Sequence, residues 1–172
     1  MKHFINISAM SFGSLSANAV SALNQGAGES GILHNTGEGG FAPYHQKGGD
    51  VIFQLGTGKF GCRDDNGDFS DAAFAEIAAH DNVRMIELKL MQGAKPGKGG
   101  ILPKEKITAE IAAIRKVPMG QDVLSPPRHA EFDDLAGMFD FLDRLRGMAD
   151  KPVGIKIVAG HIEEIEAIAE LG

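Results

Sequence analysis

Asn6-Ile7-Ser8-Ala9-Met10-Ser11-Phe12-Gly13-Ser14-Leu15-Ser16 is an apolar run that gives way to small polar residues immediately before a helix. Ile5, Ile7 and Ala9 suit a strand, Ser11 to Ser14 supply hydroxyls and exposed amides, and Ser16 stands where an N-cap would start a helix from Ala17 towards Gln25. In parallel α/β folds, ligands lie beyond the carboxyl ends of strands. The stretch therefore reads as a strand that delivers a site, with a plain strand-to-helix turn as the alternative.

The rest of the chain repeats the pattern. Ala19, Ala22 and Leu23 recur at helical spacing before Gly26 and Gly28, which are expected to stop the helix. Strands follow at Ile32 to Asn35, Val51 to Leu55, Val83 to Met91, Asp122 to Ser125 and Val153 to Val158. Ser70 caps a helix carrying Phe74, Ile77 and Ala78, and Thr108 caps one carrying Ile111 and Ile114. Leu135, Met138, Phe139, Leu142 and Leu145 mark a further helix, and Ile162, Ile165 and Ala169 the last. Strands that alternate with helices imply a parallel sheet. A (β/α) barrel is the first expectation and a doubly wound open sheet the second. A complete eight-stranded barrel takes about 250 residues, so a chain of 172 residues with six strands reads as part of one.

With 43% hydrophobic and 23% charged residues, the chain can bury one substantial core, and a single domain over residues 1–172 is expected. The formal charge of -6, with basic residues scattered, argues against a nucleic-acid partner. A lone cysteine, Cys62, excludes an internal disulfide, a cysteine-built zinc site and an iron–sulfur cluster carried by this chain alone. A reducing cytoplasm is the expected location, because no apolar run approaches ~20 residues and the start lacks signal-peptide character.

Several short motifs fail on context. Gly56-Thr57-Gly58-Lys59-Phe60-Gly61 spells G-x-G-x-x-G, but turn residues Arg63 to Asp68 follow where a dinucleotide-binding helix should open. Asp64, Asn66 and Asp68 alternate like a calcium loop, yet Phe69 occupies the position that needs glycine. The loop Gln92 to Gly100 contains no Walker sequence, and the histidines show no metal-ligand spacing, so no metal is expected. Cys62 lies beside Arg63, which would lower a thiol pKa, although lone cysteines are usually inert.

Four stretches then occur in a telling order. They are Ser8-Ala9-Met10-Ser11-Phe12-Gly13, Asn35-Thr36-Gly37-Glu38-Gly39-Gly40, Gln92-Gly93-Ala94-Lys95-Pro96-Gly97 with Gly99-Gly100, and Ser125-Pro126-Pro127. From about Phe4 onward the chain resembles the FMN-binding synthase domain of the glutamate synthase large subunit, most closely its stand-alone glutamate-synthase-like relatives. The resemblance implies a TIM barrel, with about six of its eight strands here, and FMN at its mouth. It implies that Met10 and Ser11 lie beside the flavin, that Thr36 and Gly37 line the pocket, and that Gln54 is a further flavin contact. Lys89 and Gln92 would face the flavin and 2-oxoglutarate, and Lys156 the pyrimidine edge. The implied reaction reduces 2-iminoglutarate, formed from 2-oxoglutarate and ammonia, to glutamate, with an electron-donor protein as a partner. The glutaminase region and cysteine cluster of complete synthases have no counterpart in this chain, and the strands that grip the flavin phosphate in such barrels are expected outside it. A non-catalytic flavin- or phosphate-binding module and another flavin-barrel chemistry are the alternatives.

The residues support part of this independently. Ile86, Leu88 and Leu90 alternate with Glu87 and Lys89, and Val153, Ile155 and Ile157 with Lys156, so both lysines oppose the aliphatic face near strand ends. Each needs an anion there: reduced flavin, a keto-acid carboxylate, or an internal carboxylate such as Glu87. Ser11 and Thr36 offer hydroxyls to a ring or to their own turns. Glu38 in its glycine-rich loop is a candidate for orienting substrate or moving a proton, and Gln92 offers both a donor and an acceptor. A partial sheet also leaves edges at Ile5 to Ala9 and Val153 to Val158, which predicts an oligomer or a longer chain.

Overall fold

Three hydroxyl side chains start helices where the sequence places them. Ser16 accepts from the Ala19 amide at 3.2 Å, Ser70 from Ala73 at 3.3 Å and Thr108 from Ile111 at 3.2 Å. They open α1 (Ala17–Ser30), α2 (Asp71–Ala78) and α3 (Ala109–Arg115). Asp134 caps α4 (Leu135–Ala149), and α5 spans Ile162–Leu171. The computed structural model describes residues 4–91 and 98–172.

α1 runs past the glycines expected to stop it. Gly26 faces open space, and Gly28 lets the helix press on the Gly48 carbonyl, 2.6 Å from where a Cβ would sit. The helix ends at Gly31, whose φ of 67° lets its amide turn back to the Ala27 and Gly28 carbonyls.

The strands are β1 (His34–Asn35), β2 (Val51–Leu55), β3 (Val83–Lys89), β4 (Ile101–Leu102), β5 (Val123–Leu124) and β6 (Val153–Lys156). Four of them form one parallel sheet in the order β1-β2-β3-β6. Two expected strands behave differently. The opening run joins β1 through a single bridge, Ile7 to His34, because the next ladder bond comes from the Met10 amide to Asn35, one residue out of register. Residues Asp122 to Ser125 do not enter the parallel sheet. Val123 and Leu124 pair antiparallel with β4, an element the periodicity did not announce, and Pro126-Pro127 lack the donors a central strand requires.

The main core lies on one face of the sheet. Val51, Phe53, Leu55, Ile86 and Leu88 pack on Phe74 and Ala78 of α2 and on Met138, Phe141, Leu142 and Leu145 of α4. Phe53, Phe74, Ile86 and Leu88 are fully buried, each contributing about 2–3 kcal/mol. A second cluster of Phe12, Phe60, Leu102, Ile107, Ile111 and Val123 joins the β4–β5 ribbon and α3 to the loop after Met10. The β4–β5 ribbon and α3 thus pack beside the loop that follows the opening strand. This is a mixed α/β fold with neighbouring strands in chain order, compatible with part of an α/β barrel. Among the described residues no helix is long and apolar enough to cross a membrane.

Candidate functional site

Since the aliphatic face of β2, β3 and β6 meets the helices, the alternating residues Gln54, Glu87, Lys89 and Lys156 share the opposite, inner face. Gln54 is in register with Glu87, and Lys89 with Lys156. Lys89 and Lys156 therefore stand side by side. Lys89 is buried, and its Nζ lies 2.9 Å from Oε1 of Glu38. Lys156 is half-buried and makes no ion pair among the described residues.

Glu38 reaches this point because its loop is folded tightly over the opening stretch. Gly37 has φ 68°, and a Cβ there would stand 2.8 Å from the Ser11 amide nitrogen, so only glycine satisfies both the turn and the close approach. A Cβ on Gly56 would collide with the Glu38 carboxylate. Two of the quoted motifs, around Met10-Ser11 and Thr36-Gly37, are thereby pressed together.

The other expected contacts are placed as follows. The Met10 carbonyl accepts from His45 Nε2 at 3.0 Å, and Ser11 Oγ donates to Ser14 Oγ at 3.0 Å. Thr36 is fully buried; its hydroxyl donates to the Gly37 carbonyl and accepts from the Gln54 amide. One of these bonds is local and the other crosses to β2, 18 residues on. The Gln54 side chain donates from Nε2 to Glu87 Oε1 at 2.5 Å, and Asn35 Nδ2 donates to the same oxygen at 2.9 Å. Glu87 is consequently engaged with these amides, while Lys89 takes Glu38 as its carboxylate. Gln92 lies outside the described residues, with the rest of 92–97.

Glu38 lines two adjoining clefts. One is bounded by Thr57, Lys89, Lys98, Ser125 and Pro126, the other by Ser11, Ser14, Phe60 and Arg115. Arg115 was not singled out in the sequence, although it follows Ile111 by four residues and so shares its buried face. The residue is 5% exposed, and its guanidinium donates to the Phe12 carbonyl at 3.1 Å and lies 5.3 Å from the Phe60 ring centroid. Its Nε is buried without a hydrogen-bond partner among the described residues. Burial lowers the Arg115 pKa, and the nearby Glu38 charge works against that.

A second polar group, also unannounced by the sequence, supports the rim. His129 Nε2 donates to the Lys89 carbonyl at 2.9 Å, and Thr57 Oγ1 to the Pro126 carbonyl at 2.7 Å. Lys59 pairs with Glu131 at 2.8 Å, both nearly buried. Burial disfavours the Glu131 carboxylate, but His129 and Lys59 outweigh it and hold its pKa at about 2. These contacts anchor residues 125–131 above β3. They arise from residues distant in sequence, so no local spacing could have marked them.

Two further groups lie outside the site. Cys62 is buried, and burial pushes its thiol up to about 12, as suits an inert lone cysteine. Among the described residues no group of His, Cys, Asp or Glu could hold a metal ion, and Asp64 instead accepts the Asn66 and Asp68 amides of its own turn.

A family model described as a conserved region in glutamate synthase matches residues 1–171. The chain is 46% identical over 172 residues to a glutamate synthase large subunit-like protein, YerD, of Bacillus subtilis, covering 98% of this chain and 32% of that protein. It is 40% identical over 169 residues to an archaeal glutamate synthase [NADPH] of Archaeoglobus fulgidus, covering 96% of this chain and 30% of the relative. Similarity extends to the glutamate synthase [NADPH] large chain of Azospirillum brasilense, at 34% over 160 residues, covering 87% of this chain and 10% of that one. The chain spans about a third of the length of the first two relatives.

Proposed function

The chain belongs to the glutamate synthase family, and from that premise we propose that it carries the FMN-facing and keto-acid-facing part of a TIM barrel that reduces 2-iminoglutarate to glutamate. The observation that carries this reading is the charge balance of the inner face. Lys89 and Lys156 are in register, and among the described residues Lys89 is ion-paired with Glu38 while Lys156 is paired with no carboxylate. Two cations side by side repel unless an anion joins them. Arg115 adds a third positive group, whose Nε lacks a hydrogen-bond partner among the described residues, next to the same Glu38. A flavin edge that gains negative charge on reduction and a dicarboxylate substrate supply the missing anions.

These residues fit FMN in their donor set. Lys156 offers a cation on the inner face, and Met10 and Ser11 bring backbone and hydroxyl groups to the strand ends. Bound FMN supplies the electron pair for the imine carbon. The chain's residues do the remainder. Arg115 and Lys89 hold the substrate carboxylates, and Gln92 assists with one donor and one acceptor. Glu38, placed between the two cations, holds a proton near the substrate nitrogen. The β4–β5 ribbon and residues 125–131 exclude water. Electrons arrive from a donor protein, and the setting is the cytoplasm.

The absorption spectrum of the purified protein tests this. A flavin spectrum, FMN released on denaturation, and a spectral change on adding 2-oxoglutarate are expected. Protein that takes up no FMN even on incubation with it overturns the reading.

A further inference from the structure

The amide of Gln54 has only one orientation open to it. A carboxylate oxygen accepts hydrogen bonds, so the group 2.5 Å from Glu87 Oε1 is the Gln54 Nε2 donor. The Glu87 carboxylate is itself held. Asn35 Nδ2 donates to the same oxygen, and Asn35 is oriented in turn by the Gly37 amide, which donates to its Oδ1 at 2.9 Å. Three strands, β1, β2 and β3, are thereby tied through one oxygen. The consequence lies at the other end of the amide. Gln54 Oε1 accepts no hydrogen bond among the described residues, and the residue is only 2% exposed, so its amide cannot rotate freely to offer nitrogen instead.

We propose that Glu87 is a positioning residue that turns Gln54 so that an oxygen, not an amide nitrogen, faces the cofactor; this rests on the FMN reading above. The complementary group must then be an N–H donor. Two residues further along the strands, Lys156 presents a cation on the same face. An acceptor beside a cation matches a cyclic imide edge, in which an N–H adjoins a carbonyl oxygen that carries negative charge. The pyrimidine ring of a flavin has this edge, with N3–H as the donor. Glu87 touches neither ring nor substrate in this scheme and acts only through Gln54.

The test uses the full chain loaded with FMN isotopically labelled at N3, and reads the exchange rate of the N3–H with water by NMR. In the wild type the exchange should be at least about tenfold slower than in free FMN, the protection expected of a buried hydrogen bond. Glu87→Ala frees the Gln54 amide and should bring the rate back to within about threefold of free FMN. Glu87→Gln keeps one carbonyl oxygen for Asn35 and Gln54 and should restore protection, a rescue that a merely bulky role for Glu87 does not predict. If Glu87→Ala fails to fold, Gln54→Leu, which removes the oxygen and leaves Glu87 in place, should show the same loss. Unchanged protection in a folded, loaded Glu87→Ala or Gln54→Leu protein overturns the proposal, as does a wild-type rate equal to that of free FMN. Failure of the wild type to bind FMN at all overturns the functional reading instead, and this inference with it.

Discussion

Lys89 Nζ and Glu38 Oε1 are 2.9 Å apart, joining the end of β3 to a loop 51 residues earlier. The lysine side chain is 9% exposed and the carboxylate 22%, so neither is well solvated. Lys89→Met leaves Glu38 without its ion-pair partner and should cost about 2–4 kcal/mol in urea unfolding, somewhat below the ~3–5 kcal/mol for a fully buried pair because Glu38 is partly solvated. Lys89→Met with Glu38→Gln removes both charges and should recover part of that loss, giving a coupling of about 1–3 kcal/mol in the double-mutant cycle. Strict additivity in the cycle would contradict the pairing.

Lys156 should be felt in redox measurements. Replacing it by Met removes a cation from the inner face, destabilises an anionic reduced flavin by on the order of 1 kcal/mol, and lowers the two-electron potential by about 20 mV. A variant that binds flavin at an unchanged potential contradicts the assignment.

His34 is fully buried, with neither ring nitrogen hydrogen-bonded among the described residues, and burial together with the neighbouring His45 lowers its pKa to about 4. The folded protein thus holds the ring neutral where the unfolded chain binds a proton. Its contribution is present above pH 6.5 and is lost as pH falls from there to about 4, amounting to at most about 3 kcal/mol. Denaturation from pH 7.5 to 4 should show the slope, and His34→Leu should flatten it.

Glu131 acts at more acidic pH. Its folded pKa of about 2 lies below the ordinary 4.5, so its stabilisation is present above 4.5 and lost as pH falls towards 2. Glu131→Gln should remove that acid limb, leave the His34 slope intact and destabilise the protein near neutrality, where Lys59 loses its partner. An acid limb equal to wild type in this variant contradicts the linkage.

Two glycines should respond in opposite directions. A Cβ on Gly99 would overlap the Ser125 carbonyl, whereas one on Gly26 meets nothing within 4 Å. Gly99→Ala should destabilise by about 2 kcal/mol or more, by forcing apart the two loops at the strand ends. Gly26→Ala should stabilise α1 by about 0.5–1 kcal/mol. Thermal melts of the pair check both signs.

Local chemistry in the sequence determined the elements. The caps at Ser16, Ser70 and Thr108, the existence of five helices and the alternation of Glu87 and Lys89 with Ile86 and Leu88 depend on neighbours a few residues away, and they stand in the structure as read, although α1 runs further than expected. The family was also legible, since its four motifs are contiguous. Tertiary structure decided the partners. Glu38 rather than Glu87 meets Lys89, Glu87 instead holds Asn35 and Gln54, and Arg115 arrives beside Glu38 from a helix the motifs do not include. It also decided that residues 122–125 leave the parallel sheet for β4, and that α1 runs through two glycines because Gly28 packs on Gly48. The physical reason is one of range. Capping and periodicity act within a turn of helix or a pair of strand residues, whereas ion pairing, burial and close backbone approach depend on which distant segments the fold brings together.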